Sequence, residues 1–149
     1  MEEIDAFFMA EALKEAEKAG AAGEIPVGAV IVKDGKIIAK AGNTREREQI
    51  ATGHAEINAI NLACRALSSW RLENCTMYVT LEPCHMCGGA IINARISRLV
   101  YGASDSLGGC MGSAMDLTKL RGMGSPKIKK AVLNSQCEEI LKSFFDELR

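Results

Sequence analysis

The chain has 149 residues, 48% hydrophobic and 25% charged, with a formal net charge of −1. This matches a soluble globular protein of one domain, 1–149, long enough to bury a core. No apolar run reaches the roughly 20 residues that span a bilayer, and the acidic start Met1-Glu2-Glu3 does not read as a signal peptide. These features exclude a membrane partner and make the cytoplasm the expected compartment.

Six cysteines without a secretion signal argue against a disulfide framework and for reduced thiols. Cys64, Cys75, Cys110 and Cys137 read as small core or loop residues. Charge is unevenly distributed. Met1 to Glu24 holds seven acids and two bases, whereas Lys119, Arg121, Lys127, Lys129 and Lys130 form an acid-free basic stretch able to meet phosphates.

Ile4, Phe8, Ala12, Leu13 and Ala16 predict an opening helix that ends near Gly20 and Gly23. Val27 to Val32 and Ile37 to Ala41 flank Asp34-Gly35, the signature of an antiparallel hairpin. A polar loop from Gly42 to Gly53 then delivers the chain to His54, where a second helix starts with Ile57, Ile60, Cys64 and Leu67 on one buried face. Thr76 to Thr80 reads as a strand, Cys84 to Ala94 as a helix and Leu99 to Ala103 as a strand parallel to the first, a crossover unit with its site at the strands' carboxyl ends. Ser104 to Gly112 is a glycine-rich loop, Met115 to Leu120 a short helix and Lys127 to Leu133 a weaker strand. The chain closes on an amphipathic helix carrying Cys137, Ile140, Leu141, Phe144, Phe145 and Leu148.

Chemistry concentrates in His54-Ala55-Glu56 and Pro83-Cys84-His85-Met86-Cys87. Two cysteines three apart share one helix face, so both sulfurs reach one point, and a histidine from elsewhere completes three ligands suited to zinc with a fourth position for water. Glu56 lies two residues beyond His54, about 200° around a regular helix, so both serve one site only if it lies off the helix N-terminus. Pro83 at the first helical position would place Cys84 and Cys87 in an opening turn. Two helix N-termini would then converge, favouring thiolates and a bound anion. His85 projects away from the face that the sulfurs share.

His54-x-Glu56 with Pro83-Cys84-x-x-Cys87 resembles the signature of the zinc-dependent cytidine and deoxycytidylate deaminase superfamily. Glu24 to Val30, Gly42-Asn43, Ser69 to Leu72, Tyr78 to Cys84, Val100 to Ala103 and Phe144-Phe145 narrow the resemblance to the bacterial tRNA-specific adenosine deaminases. The resemblance implies an α/β fold of three α/β/α layers around a five-stranded mixed sheet, cytidine deaminase-like. It implies one Zn2+ per subunit on His54, Cys84 and Cys87, Glu56 as the catalytic proton carrier, and substrate contacts from Asn43, Ala55, Asp105, Phe144 and Phe145. The implied reaction converts adenosine to inosine at the wobble position of a tRNA anticodon stem-loop, with RNA rather than DNA as partner, in a homodimer. Gly124-Ser125-Pro126 departs from the family pattern.

Taken as residues alone, other assignments stay open. His54 fits a helix-capping histidine, Cys84 and Cys87 a redox dithiol, Asn43 a turn former, Asp105 a loop cap, and at least one of Phe144 and Phe145 a core residue. The same zinc site also serves deaminases of free guanine, cytosine or cytidine.

Overall fold

The apolar run after Pro26 is buried on both faces because it forms an inner strand of a five-stranded sheet. A computed structural model describes residues 2–120 and 124–148. In chain order the elements are α1 (Glu2–Ala21), β1 (Gly28–Lys33), β2 (Lys36–Gly42), α2 (Arg45–Glu48), α3 (Ala55–Leu67), β3 (Cys75–Leu81), α4 (His85–Asn93), β4 (Arg98–Ala103), β5 (Lys127–Lys129) and α5 (Asn134–Glu147), with a 3-10 turn at Leu117–Lys119 before β5. The sheet order is β2-β1-β3-β4-β5. β1 is antiparallel to both β2 and β3, whereas β3, β4 and β5 are parallel. The hairpin and the crossover unit thus form as the sequence predicts. Asp34 and Gly35 both take positive φ, 51° and 75°, as a two-residue hairpin turn of the right twist requires.

Strand alternation divides the core into two layers. Ala29, Ile31, Met77, Val79, Leu99 and Tyr101 face α3 and α4, while Val30, Val32, Tyr78 and Val100 face α1 and α5. Inner strands covered by helices on both sides read as continuous apolar runs. Helices lie close on the sheet where small residues allow it. A side chain on Gly28 would overlap the Ala12 carbonyl of α1.

Several elements differ from the sequence expectation. In α1, Ile4 is 55% exposed and the buried place beside it goes to Asp5. In α3 the inward face is Ala55, Ala59, Ile60 and Ala63, and the bulkier Ile57, Cys64 and Leu67 sit at its margins. Three alanines let the helix approach the sheet more closely than the branched residues would. The polar loop holds the one-turn helix α2, the helix expected at Met115 to Leu120 is only the 3-10 turn, and β5 stops at Lys129 because Ala131 and Leu133 take positive φ. Arg121 and Met123 lie outside the described residues.

Asp5 explains part of the basic stretch. Arg98 Nη1 and Nη2 donate to its two oxygens at 2.8 and 2.7 Å, Lys129 Nζ donates at 3.0 Å and the Tyr78 hydroxyl at 2.8 Å. Lys129 is therefore a partner of this buried acid and not a free phosphate contact, while Lys119, Lys127 and Lys130 remain exposed. The Arg98 hydrogen bond, outweighing the cost of burial, holds the Asp5 carboxyl well below its usual range. No helix among the described residues is long and apolar enough to cross a membrane.

Asp5→Ala should destabilise the fold by about 3 kcal/mol, the lower end of the range for breaking a buried pair because Arg98 keeps some water. A depressed folded pKa contributes stability that is complete above the unfolded value of about 3.9 and is lost as pH falls below it. Urea midpoints measured from pH 7 to pH 3 should accordingly fall less steeply below pH 4 in Asp5→Asn than in the parent; equal slopes would remove Asp5 as the cause.

Candidate metal centre and cleft

His54 is the N-cap of α3, with extended backbone at φ −85° and ψ 149°, and Ala55 and Glu56 are the first two helical residues. Asn43 fixes this start. Its Oδ1 accepts from the Ala55 N–H at 2.8 Å, and its Nδ2 donates to the Ile25 carbonyl at 2.8 Å. Asn58 ties the same loop by donating to the Gly42 carbonyl and to Thr44 Oγ1. Leaving the helix ladder at its cap lets His54 and Glu56 reach the same cleft despite their opposed positions on a regular helix.

Cys84 is likewise an N-cap, of α4, at φ −74° and ψ −179°, and His85 is the first helical residue. Pro83 therefore precedes the cap and does not occupy the first helical position, contrary to the expectation from sequence, because the extended backbone at Cys84 keeps that residue outside the helix. The Pro83 carbonyl accepts from the Cys110 N–H at 2.9 Å. Cys87, one turn into α4, is buried, whereas His85 is exposed.

His54 Nδ1 lies 3.7 Å from Cys84 Sγ and 3.4 Å from Cys87 Sγ, and the three atoms fall within 4.8 Å of one another. With zinc–sulfur bonds of about 2.3 Å and zinc–nitrogen bonds of about 2.0 Å, a tetrahedral centre separates nitrogen from sulfur by about 3.5 Å. The donor set and its spacing therefore fit a zinc-type cation, and His54 and Cys84 line the same cleft as Glu56. Without a metal, a hydrogen bond from Cys87 is the main cause that draws Cys84 down to about 3, and the same bond together with burial pushes the Cys87 thiol far up. His54 is raised, first by its contact with Cys84. Glu56 is only 4% exposed, and burial pushes its carboxyl up to about 7.

The group opens into a cleft of about 670 Å³ lined by Asn43, Arg45, Glu82, Asp105, Phe144 and Phe145 among others. Of the residues expected at the site, Ala55 is buried and its N–H is taken by Asn43. Asp105 Oδ1 accepts from the Leu107 and Gly108 N–H groups, so the residue is a loop cap that also faces the cleft. Phe144 and Phe145 form an edge-to-face pair, centroids 5.5 Å apart, at the mouth. Neither is fully buried, which corrects the expectation that one of them is core.

Two wall-forming acids are not among the residues that the sequence singles out. Glu24, buried, accepts from the Glu46 and Arg47 N–H groups at 3.1 and 2.8 Å and so holds α2, whose Arg45 and Glu46 line the cleft. Glu82 holds the loop 105–113, whose Asp105 lines the cleft. Both acids stand inside otherwise apolar stretches, Glu24-Ile25-Pro26 and Leu81-Glu82-Pro83, and that is the signal that could have marked them as buried.

Comparison with known proteins agrees with this geometry. The profile of the MafB19-like deaminase family matches residues 3–149. A tRNA-specific adenosine deaminase of Bacillus subtilis (strain 168) is 48% identical over 97% of this chain and 91% of its own, and one from Agrobacterium fabrum is 46% identical over 95% and 94%. A solved structure from work on A-to-I editing by tRNA:A34 deaminases at the wobble position of transfer RNA superposes with a TM-score of 0.88, at 44% identity, over 91% of this chain and 99% of that one. A guanine deaminase from Bacillus subtilis gives a TM-score of 0.63 at 43% identity, over 66% and 63%. With its five-stranded mixed sheet, its two capped helix starts and this degree of likeness, the chain belongs to the MafB19-like deaminases and, among them, to the tRNA-specific adenosine deaminase family.

Proposed function

We propose that the chain hydrolyses the exocyclic amine of adenosine at the wobble position of a tRNA anticodon, giving inosine and ammonia, with one zinc ion per subunit held by His54 Nδ1 and the Cys84 and Cys87 sulfurs. The carrying observation is a buried acid, Glu56, sharing the floor of an open cleft with a His-Cys-Cys group of tetrahedral spacing. Zinc, when bound, supplies Lewis-acid activation of a water at neutral pH. Glu56 would take one proton from the attacking water and pass it to the ring nitrogen beside the attacked carbon, then take the remaining proton from the new hydroxyl and give it to the departing nitrogen, which leaves as ammonia as the carbonyl forms. Its buried place on the floor of the cleft, beside the His-Cys-Cys group, suits it to both.

The walls serve the substrate. Beyond its two backbone bonds, the Asn43 amide has a further N–H and oxygen lone pair for a purine edge. Ala55, buried behind the cleft, contributes by holding Asn43 through its N–H, Asp105 faces a ribose hydroxyl, and Phe144 and Phe145 flank a nucleotide lifted out of its stack. A single-stranded anticodon loop keeps the cost of that extraction low. On this reading the protein works in the cytoplasm with its tRNA.

Incubation of the zinc-loaded protein with an adenosine-bearing anticodon stem-loop, and separately with adenosine, guanine and cytidine, should yield inosine and ammonia only from the stem-loop. Glu56→Ala should retain one zinc per chain by metal analysis and lose at least about 10³-fold in kcat, the scale of a general acid–base group. Product from free bases alone would support a small-molecule deaminase, and a zinc-free preparation with an oxidised Cys84–Cys87 pair would support a redox dithiol.

The exposed lysines Lys119, Lys127 and Lys130 are proposed as outer phosphate partners. Replacing all three by Ala should weaken stem-loop binding and lower its log–log salt slope by about one for each phosphate no longer neutralised; an unchanged slope removes them from the interface.

The proposed homodimer uses the solvent side of α3, where Leu62 is 43% exposed beside Ile57, with Ile50 next to it across the same hollow. Sedimentation of the parent should give twice the chain mass, and Leu62→Glu should give the monomer. A monomeric parent overturns the proposal.

A further inference from the structure

We propose that Glu82 is the positioning residue that fixes the 105–113 wall of the cleft, and that it acts on RNA recognition through Asp105. Glu82 is 2% exposed and lies between the end of β3 and Pro83-Cys84. Its Oε1 accepts from the Asp105 N–H at 3.1 Å and from the Ser113 hydroxyl, and its Oε2 accepts from the Met111 and Ser113 N–H groups at 3.1 and 3.0 Å. One carboxylate thus gathers three backbone amides and a hydroxyl from a loop whose outer residues, Ser106, Leu107 and Gly108, are exposed.

The loop is moulded to this anchor. A Cβ on Gly109 would overlap Glu82 Cδ and stand 2.5 Å from the Asp105 carbonyl oxygen, so only glycine fits. The Cys110 N–H donates to the Pro83 carbonyl, which joins the same loop to the residue before the Cys84 cap. Glu82 therefore sits on the one segment that continues into Cys84 and also holds Asp105, and it sets the distance between the reacting centre and the ribose-facing wall. Charge is essential to this role. A carboxylate offers acceptors to all four donors, whereas a glutamine of nearly the same shape would turn an NH₂ toward backbone N–H groups.

The test has one arm independent of activity and one that rests on the deaminase reading above. In Glu82→Gln, hydrogen exchange at the amides of Asp105, Met111 and Ser113 should quicken at least about tenfold, the scale of losing a hydrogen bond to a charged group, while the β4 amides Leu99 to Tyr101 stay protected. With the stem-loop substrate, KM should rise about tenfold with kcat within about twofold and zinc retained. In an Asp105→Ala background the same substitution should add nothing further to KM.

Unchanged exchange, a KM increase that persists in full without Asp105, or a fall in kcat accompanied by zinc loss would each overturn the proposal. Should Glu82→Gln fail to fold, Ser113→Ala removes a single donor. It should then raise KM two- to threefold, about the effect of one modest hydrogen bond, and no change would count against Glu82. If the parent protein deaminates no stem-loop, the deaminase reading and the kinetic half of this proposal fail together; if deamination is intact and exchange is unaltered, Glu82 alone fails.

Discussion

Two helix N-termini meeting at one point are what the rest of this structure depends on. α3 starts after His54 and α4 after Cys84, and each cap is extended backbone, so the side chains leave the helix axes and turn toward a common space. Each first turn also leaves amide N–H groups without intrahelical partners and the positive end of a helix dipole directed there. That field favours an anion, in keeping with the Cys84 thiol being drawn down there. The sheet makes the meeting possible. β3 runs parallel to β4, so the connection through α4 begins at the carboxyl ends of the strands, where crossover units leave a crevice.

Four buried acids among the described residues show how surroundings decide what a carboxyl group does. Asp5 is held by Arg98, Lys129 and Tyr78 and stays ionised far into acid. Glu24 and Glu82 meet mostly backbone N–H groups and act as clamps, each holding one wall of the cleft. Glu56 is raised instead, first by its burial at the cleft floor. Burying a charge costs several kcal/mol unless donors or cations compensate, so the three compensated acids are structural. The fourth is raised by its burial and has no such set of compensating donors.

The cleft is lined by short segments at α2 and after β4 and by the end of α5, while its floor is helix starts, which separates two tasks. The His54, Cys84 and Cys87 donor atoms, which fit a metal site, are anchored by the starts of α3 and α4 and by the Asn43 bridge to Ala55. Asp105 and Arg45 stand on short segments whose shape is fixed by a few hydrogen bonds to Glu82 and Glu24. The same floor can therefore serve different substrates when the walls change, in keeping with the likeness to both a tRNA deaminase structure and a guanine deaminase structure.

The sequence by itself determined the hairpin, the crossover unit and the closing helix, because turn chemistry at Asp34-Gly35 and apolar periodicity are local signals. It also marked His54, Glu56, Cys84 and Cys87, since the spacing of the cysteine pair and of the histidine and acid is legible in the chain. Only the tertiary structure decided that Pro83 precedes the cap, that alanines and not Ile57, Cys64 and Leu67 form the inward face of α3, and that Lys129 answers Asp5 across 124 positions of chain. Only it revealed Glu24 and Glu82 as clamps. The reason is physical: a buried acid is identified by the donors that surround it, and here those donors come from segments 22 to 31 residues away, which no local pattern encodes.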